Sequence, residues 1–136
     1  MPFYSFDLVI PAGTAEATPA QATAQLGVGI ITSLRLVIPP GVAGLAFTRV
    51  RRGGAVLWPT NAAASLTGDG DIIAWAEEYP LLDEPLALTL DGFSPTARFA
   101  HTLTWRFEME PLTPEDEVQG ARGLIRRLAG ALLGED

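Results

Sequence analysis

Hydrophobic and polar residues alternate with a period of two along most of this chain, which is the pattern of half-buried β-strands. Residues 3–10, "FYSFDLVI", place Tyr4, Phe6, Leu8 and Ile10 on one face. Residues 98–110 alternate most clearly and place on one face Phe99, His101, Leu103, Trp105, Phe107 and Met109. Further strands are predicted at 28–38, within 44–59, at 72–79 and at 86–93. About seven strands with turn residues between them, and no crossover helices, predict an all-β fold: an antiparallel β-sandwich or a jelly-roll-like fold.

Turn residues mark where two of these strands end. The strand predicted at 28–38 carries on one face Val28, Ile30, Thr32, Leu34, Leu36 and Ile38. It stops at Pro39 and Pro40, because proline cannot donate a ladder hydrogen bond. Within 44–59, Gly53-Gly54 closes a tight hairpin, since glycine tolerates positive φ.

Two segments depart from the strand pattern. Residues 11–25 are small and polar, contain two prolines and show no periodicity, so we expect an extended loop or arm that is mobile or lies along a neighbour. Residues 113–136 begin with Thr113 as a cap and Pro114 at the first helical position, and apolar residues then recur at helical spacing. The domain prediction is a β-sandwich over 1–112 and a C-terminal amphipathic α-helix or arm over 113–136, docked on its own sandwich or on a neighbouring subunit.

Composition indicates a soluble domain whose surface suits protein contacts. The 136 residues fit one domain, and 48% are apolar while only 18% are charged. The formal charge of −7 opposes binding to nucleic acid, and no apolar run is long enough to cross a membrane. No basic segment at the N-terminus predicts a signal peptide, so synthesis in the cytoplasm is expected. The absence of cysteine excludes disulfides and thiolate chemistry.

Residues that could carry catalysis or bind a metal are few. His101 is the one histidine, and no serine lies in a nucleophile-elbow context, so a catalytic triad is not predicted. Asp69 and Asp71 lie beside glycines, but they lack the remaining ligands of a calcium loop and are interpreted as a turn. The sequence therefore predicts no enzyme, no catalytic residue, no cofactor and no metal.

One basic cluster and three tryptophans are the candidates for contacts. Arg49, Arg51 and Arg52 surround the hairpin turn, where they are either solvated or paired with carboxylates of a neighbouring subunit. Trp58 and Trp75 suit the core, an interface or a surface that stacks on sugars. The predicted interface consists of Arg49, Arg51, Arg52, Trp58, Ile125, Leu128 and Leu132.

Five segments occur along the chain in an order that resembles a known class of proteins. They are "FDLVIPAGT", "GIITSLRLVIPPGVAGL", "GGAVLWPTN", "GDGDIIAWAEEYPL" and "AHTLTWRFEMEPL". Over residues 3–112 the chain resembles small β-sandwich decoration or accessory head proteins of tailed bacteriophages. The resemblance implies a non-enzymatic virion protein, made in the host cytoplasm, that forms a homo-oligomer, often a trimer, and stabilises a major capsid or other head protein.

A different class of function remains open beside this one. A carbohydrate- or ligand-binding β-sandwich would use Trp58, Trp75 and Tyr79 as its stacking surface.

Overall fold

The computed structural model describes residues 3–61 and 64–111, and this part of the chain is all-β. The strands are β1 Phe3–Ile10, β2 Ala20–Gln25, β3 Gly29–Ile38, β4 Phe47–Arg52, β5 Ala55–Trp58, β6 Asp71–Leu81, β7 Ala87–Phe93 and β8 His101–Pro111. The predicted helix at 113–136, with Ile125, Leu128 and Leu132, lies outside the described residues.

The strands form two antiparallel sheets of four. The β1 sheet has the order β1-β8-β3-β6, and the β2 sheet has the order β2-β7-β4-β5. Every neighbouring pair is antiparallel. Only the β4–β5 hairpin stays within one sheet, because each other connection between described strands crosses to the opposite sheet. The predicted antiparallel β-sandwich is confirmed.

The core lies between the two sheets and is built from the inward positions of the alternating strands. From the β1 sheet it receives Leu8, Ile10, Leu103, Trp105 and Phe107, and from the β2 sheet Val50, Leu88 and Leu90, each at most 1% exposed. Burying a side chain of this size stabilises the fold by about 1.5 to 3 kcal/mol. The face predicted for residues 3–10 is confirmed, because its four apolar residues belong to the core or pack against it.

The alternation predicted for 28–38 is wrong at its beginning. The ladder register shifts between Ile31 and Ser33, which indicates a β-bulge. Ile31 and Leu34 therefore both join the core although they are three positions apart, and Val28 is 44% exposed. The extra residue of the bulge reverses which side chains point inward.

The extended loop or arm predicted at 11–25 requires correction. Residues 20–25 form β2, an edge strand that pairs with β7. Residues 11–19 connect β1 to β2, and this connection is held by Ser94, whose amide donates to Thr14 O at 2.9 Å and whose hydroxyl donates to Pro11 O at 2.9 Å. The segment is thus attached to its own sandwich.

The apolar face predicted at 98–110 also begins too early. Phe99 is 74% exposed, because β8 starts only at His101. Within the described residues, no helix is long and apolar enough to cross a membrane.

Candidate interaction surfaces

Asp91 is the centre of a polar network on the outer face of the β2 sheet. Its side chain is only 1% exposed. Arg51 donates to it through Nε at 2.6 Å and Nη2 at 3.2 Å, and Arg49 donates through Nε at 3.2 Å. Gln21 Nε2 donates to Oδ1 at 3.1 Å. Each carboxylate oxygen accepts two hydrogen bonds, so this buried charge is paired and satisfied.

A cleft of about 610 Å³ opens beside this network. Glu16, from the β1–β2 connection, lies 3.6 Å from Arg49 Nη1. Two arginines thus face two carboxylates in the cleft, and their formal charges cancel. Arg49 and Arg51, predicted to pair with a neighbouring subunit, are paired within the chain, and their role at an interface stays a prediction.

Arg52 joins the hairpin to the connection between β6 and β7. Its guanidinium donates to Tyr79 Oη at 3.1 Å, to Asp83 O at 2.8 Å and to Pro85 O at 3.1 Å. The hydrogen bond with Tyr79 is the main cause that raises the pKa of Arg52. The hairpin end is therefore fixed to the sandwich rather than freely solvated, and the predicted interface role of Arg52 also stays a prediction.

Trp58, Trp75 and Tyr79 lie together where the edge strands β5 and β6 meet. The indole nitrogens of Trp58 and Trp75 both donate to Oε1 of Glu77, at 2.9 and 3.0 Å. The rings of Trp58 and Tyr79 meet edge to face with centroids 5.5 Å apart. Trp58 is only 4% exposed and belongs to the core, and the interface position predicted for it stays a prediction.

The outer face of the β1 sheet is a surface that sequence reasoning missed. Large apolar side chains stand at its margins: Phe3 is 57% exposed, Val9 is 58% exposed and Ile72 is 63% exposed. Between them lie small or neutral residues and four charged ones. The small or neutral residues are Ser5, Ser33, Ala74, Ala76, Thr102 and Thr104, and the charged residues are Asp7, Arg35, Arg106 and Glu108. The alternation already placed several of these residues outward, but only strand order shows that they share one face.

Asp69 and Asp71, which were weighed as metal ligands, organise the turn before β6. Asp69 Oδ1 accepts hydrogen bonds from the amides of Ala43 at 3.1 Å and Gly41 at 2.8 Å, and these bonds lower its pKa. Asp71 Oδ2 accepts from the amide of Asp69 at 2.7 Å, so the predicted turn is confirmed. His101 is half-buried at the start of β8. In residues 3–61 and 64–111, no group of three or more His, Cys, Asp or Glu side chains could hold a metal ion.

Comparisons with known proteins assign no family. No protein-family model matches the chain, and no curated protein matches it. One solved chain, from work on Bacillus endospore appendages that form a family of disulfide-linked pili, is similar at 18% identity and a TM-score of 0.33. The similarity covers 79% of this chain and 89% of that chain. A likeness of this size carries no argument about function.

Proposed function

We propose that this protein is a non-catalytic structural protein that assembles through protein–protein contacts made by the outer face of its β1 sheet. The observation that carries the proposal is the exposure of Phe3, Val9 and Ile72, at 57%, 58% and 63%, on the same outer face that carries Arg35 and Arg106. Exposed apolar patches rimmed by polar residues mark interaction sites, and on this face three exposed apolar side chains surround polar ones. Interfaces are also enriched in aromatic residues and arginine, and Phe3, Arg35 and Arg106 stand on this face.

The strand order supports a more specific assembly. The orders β1-β8-β3-β6 and β2-β7-β4-β5 are those of a double-sheet jelly roll, an architecture found in viral capsid and lectin domains. Together with the resemblance of residues 3–112 to phage decoration proteins, this favours a virion protein that binds itself and a major capsid or other head protein. In this proposal the C-terminal arm, with Ile125, Leu128 and Leu132, is a second contact element. Architecture alone does not determine function, so the proposal depends on the surface.

The first experiment is the mass of the full-length protein by light scattering over a range of concentrations. We expect a discrete oligomer that weakens when Val9→Ser and Ile72→Ser are combined, because each removes apolar area from the face. Loss of these contacts should weaken association by at least about tenfold. The matched control is Phe99→Ser, since Phe99 is 74% exposed but precedes β8. If the wild type, the double variant and Phe99→Ser associate equally, the outer face of the β1 sheet is not the interface.

A carbohydrate-binding module is the second candidate, and one observation favours it. Trp58, Trp75 and Glu77 line a cleft of about 250 Å³ at the edge between β5 and β6. Titration of a glycan panel by calorimetry tests it directly: heat that disappears in Trp75→Ala would support it. A panel that produces no heat would remove this candidate.

A further inference from the structure

Arg35 and Arg106 lie directly opposite each other on β3 and β8, in the middle of the outer face of the β1 sheet. Like charges at opposed positions of a sheet repel each other. No carboxylate among the described residues forms an ion pair with either guanidinium. The chain has sixteen acids and a formal charge of −7, so this arrangement does not result from a shortage of acids.

Arg106 also has an unpaired donor. Its Nε atom is buried and has no hydrogen-bond partner among residues 3–61 and 64–111. The guanidinium carbon lies 5.8 Å from the centroid of the Phe3 ring, which is a cation–π contact. A buried donor without an acceptor is unfavourable and rare in folded proteins. The Nε atom is therefore free to donate to a group that another molecule supplies.

Both arginines line a cleft of about 470 Å³, large enough to admit such an acceptor. Phe3, Ser33, Trp75 and Glu108 also line the cleft. Glu108 Oε2 lies 3.4 Å from Ser33 Oγ, and Glu108 forms no ion pair with Arg35 or Arg106. The charged residues that line the cleft are Arg35, Arg106 and Glu108, and their formal charges add to +1.

The outer face of the β2 sheet also carries two neighbouring arginines, and there a carboxylate pairs with both. There, Oδ2 of Asp91 accepts from Nε of Arg51 at 2.6 Å and from Nε of Arg49 at 3.2 Å, so one carboxylate joins two guanidiniums. On the outer face of the β1 sheet, no carboxylate of a described residue joins Arg35 and Arg106 in this way. The same chemistry would relieve their repulsion and satisfy Nε of Arg106.

We propose that the cleft between Arg35 and Arg106 binds a carboxylate, supplied by an acidic side chain of a second copy of this acidic chain that covers the β1 sheet. That the cleft binds a carboxylate is inferred from the contacts of Arg35 and Arg106 alone. Where the carboxylate comes from rests on the proposed function. A bound carboxylate bridges the two guanidiniums and accepts from Nε of Arg106. The acidic side chain thereby sets the register of the partner on the sheet.

The cleft is tested on the full-length protein with ¹⁵N-labelled arginine, by following side-chain Nε–H signals in NMR spectra. Sodium acetate is the probe, and sodium chloride keeps the ionic strength constant. We expect saturable shifts of the Arg35 and Arg106 signals and none for Arg98, an exposed arginine in the turn before β8. Arg106→Gln should abolish the saturable shift of Arg35, while Arg98→Gln should leave it unchanged.

Two outcomes would overturn the assignment. If all three arginine signals move linearly and together, acetate acts only by ionic screening and the cleft is not a site. If inorganic phosphate saturates the signals and acetate does not, the cleft takes a tetrahedral anion rather than a carboxylate.

Light scattering then tests the source of the carboxylate. Arg106→Gln should weaken association by at least about tenfold, as loss of a buried interfacial charge pair does, and Arg98→Gln should not. Saturable acetate binding combined with unchanged association of Arg106→Gln would refute a partner carboxylate. Failure of the acetate titration with retained sensitivity to Val9→Ser and Ile72→Ser would refute this inference and leave the proposed function intact.

Discussion

The indole Nε1 of Trp105 donates a hydrogen bond to the hydroxyl of Thr48 at 3.0 Å, and this bond joins the two sheets through the middle of the core. Trp105 belongs to β8 and Thr48 to β4, and both are 0% exposed. The Thr48 hydroxyl in turn donates to the carbonyl of Asp91 at 2.8 Å. The interior bond between the sheets thus leads to the residue whose carboxylate organises the outer face of the β2 sheet.

Replacing Thr48 by valine should destabilise the protein although the volume is kept. The indole N–H of Trp105 would lose its acceptor inside an apolar core, which costs about 1 to 3 kcal/mol. Urea unfolding monitored by tryptophan fluorescence measures this loss. Thr48→Ser is the control, because it keeps the hydroxyl and removes one methyl group. The Trp105 indole proton signal should move in Thr48→Val and stay in place in Thr48→Ser; an unmoved signal in both would contradict the bond.

Replacing Asp91 by asparagine tests the charge that holds Arg49 and Arg51. Removing one partner of a buried ion pair costs about 3 to 5 kcal/mol. Because the two arginine side chains retain 19% and 25% exposure, water offsets part of that cost, and we expect a loss of about 2 to 3 kcal/mol. Asp83→Asn is the control, since Asp83 is 89% exposed beside Arg52 and should lose less than about 1 kcal/mol. Equal losses in the two variants would show that burial does not matter here.

Gly92 lets β1 approach β7 closely. A Cβ atom at this position would lie 2.5 Å from Cδ1 of Ile10 and 2.9 Å from Cδ2 of Leu8. Gly92→Ala should therefore destabilise the sandwich by about 1 to 3 kcal/mol through overpacking, measured by thermal unfolding. Adding Ile10→Val removes the nearest atom and should restore part of the loss. Gly54→Ala is the control, because nothing lies within 4 Å of the added atom.

The turn held by Asp69 should weaken in acid. The amides of Ala43 and Gly41 lower the pKa of Asp69 in the folded protein, so its contribution is complete above the ordinary aspartate pKa of about 3.9. That contribution is lost as the pH falls below this value and through the lowered pKa. Urea unfolding from about pH 6 to about pH 2 should show the stability difference between wild type and Asp69→Asn shrinking with acid. A difference that stays constant over this range would contradict the role assigned to Asp69.

Strong local patterns predicted much of the fold, and weak ones did not. The segment 3–10 has large apolar residues at every second position, and its limits are those of β1. In β2, by contrast, alanines alternate with glutamine and threonine, and alanine is too small to give a clear hydrophobic signal. The bulge in β3 was also missed, because an extra residue in a strand depends on pairing with its neighbours rather than on local composition.

The candidate surfaces were less predictable, because their residues meet through strand order. Arg49 and Arg51 were visible as a cluster, but their partner Asp91 lies on β7, about forty residues further along the chain. The opposition of Arg35 and Arg106 likewise exists only because β8 lies beside β3. Periodicity tells which face of a strand a residue occupies, whereas it does not tell which strand lies next to it.

The pairing of β1 with β8 has a consequence for biosynthesis. Phe3 lies opposite Glu108, so the first described strand has its only sheet neighbour near the far end of the described chain. On the ribosome, β1 cannot find this neighbour until β8 has been translated and has emerged. Contacts between such distant segments fold slowly, and unpaired apolar strands promote aggregation meanwhile. Folding of the β1 sheet is therefore completed only after nearly all of the described sequence has been made.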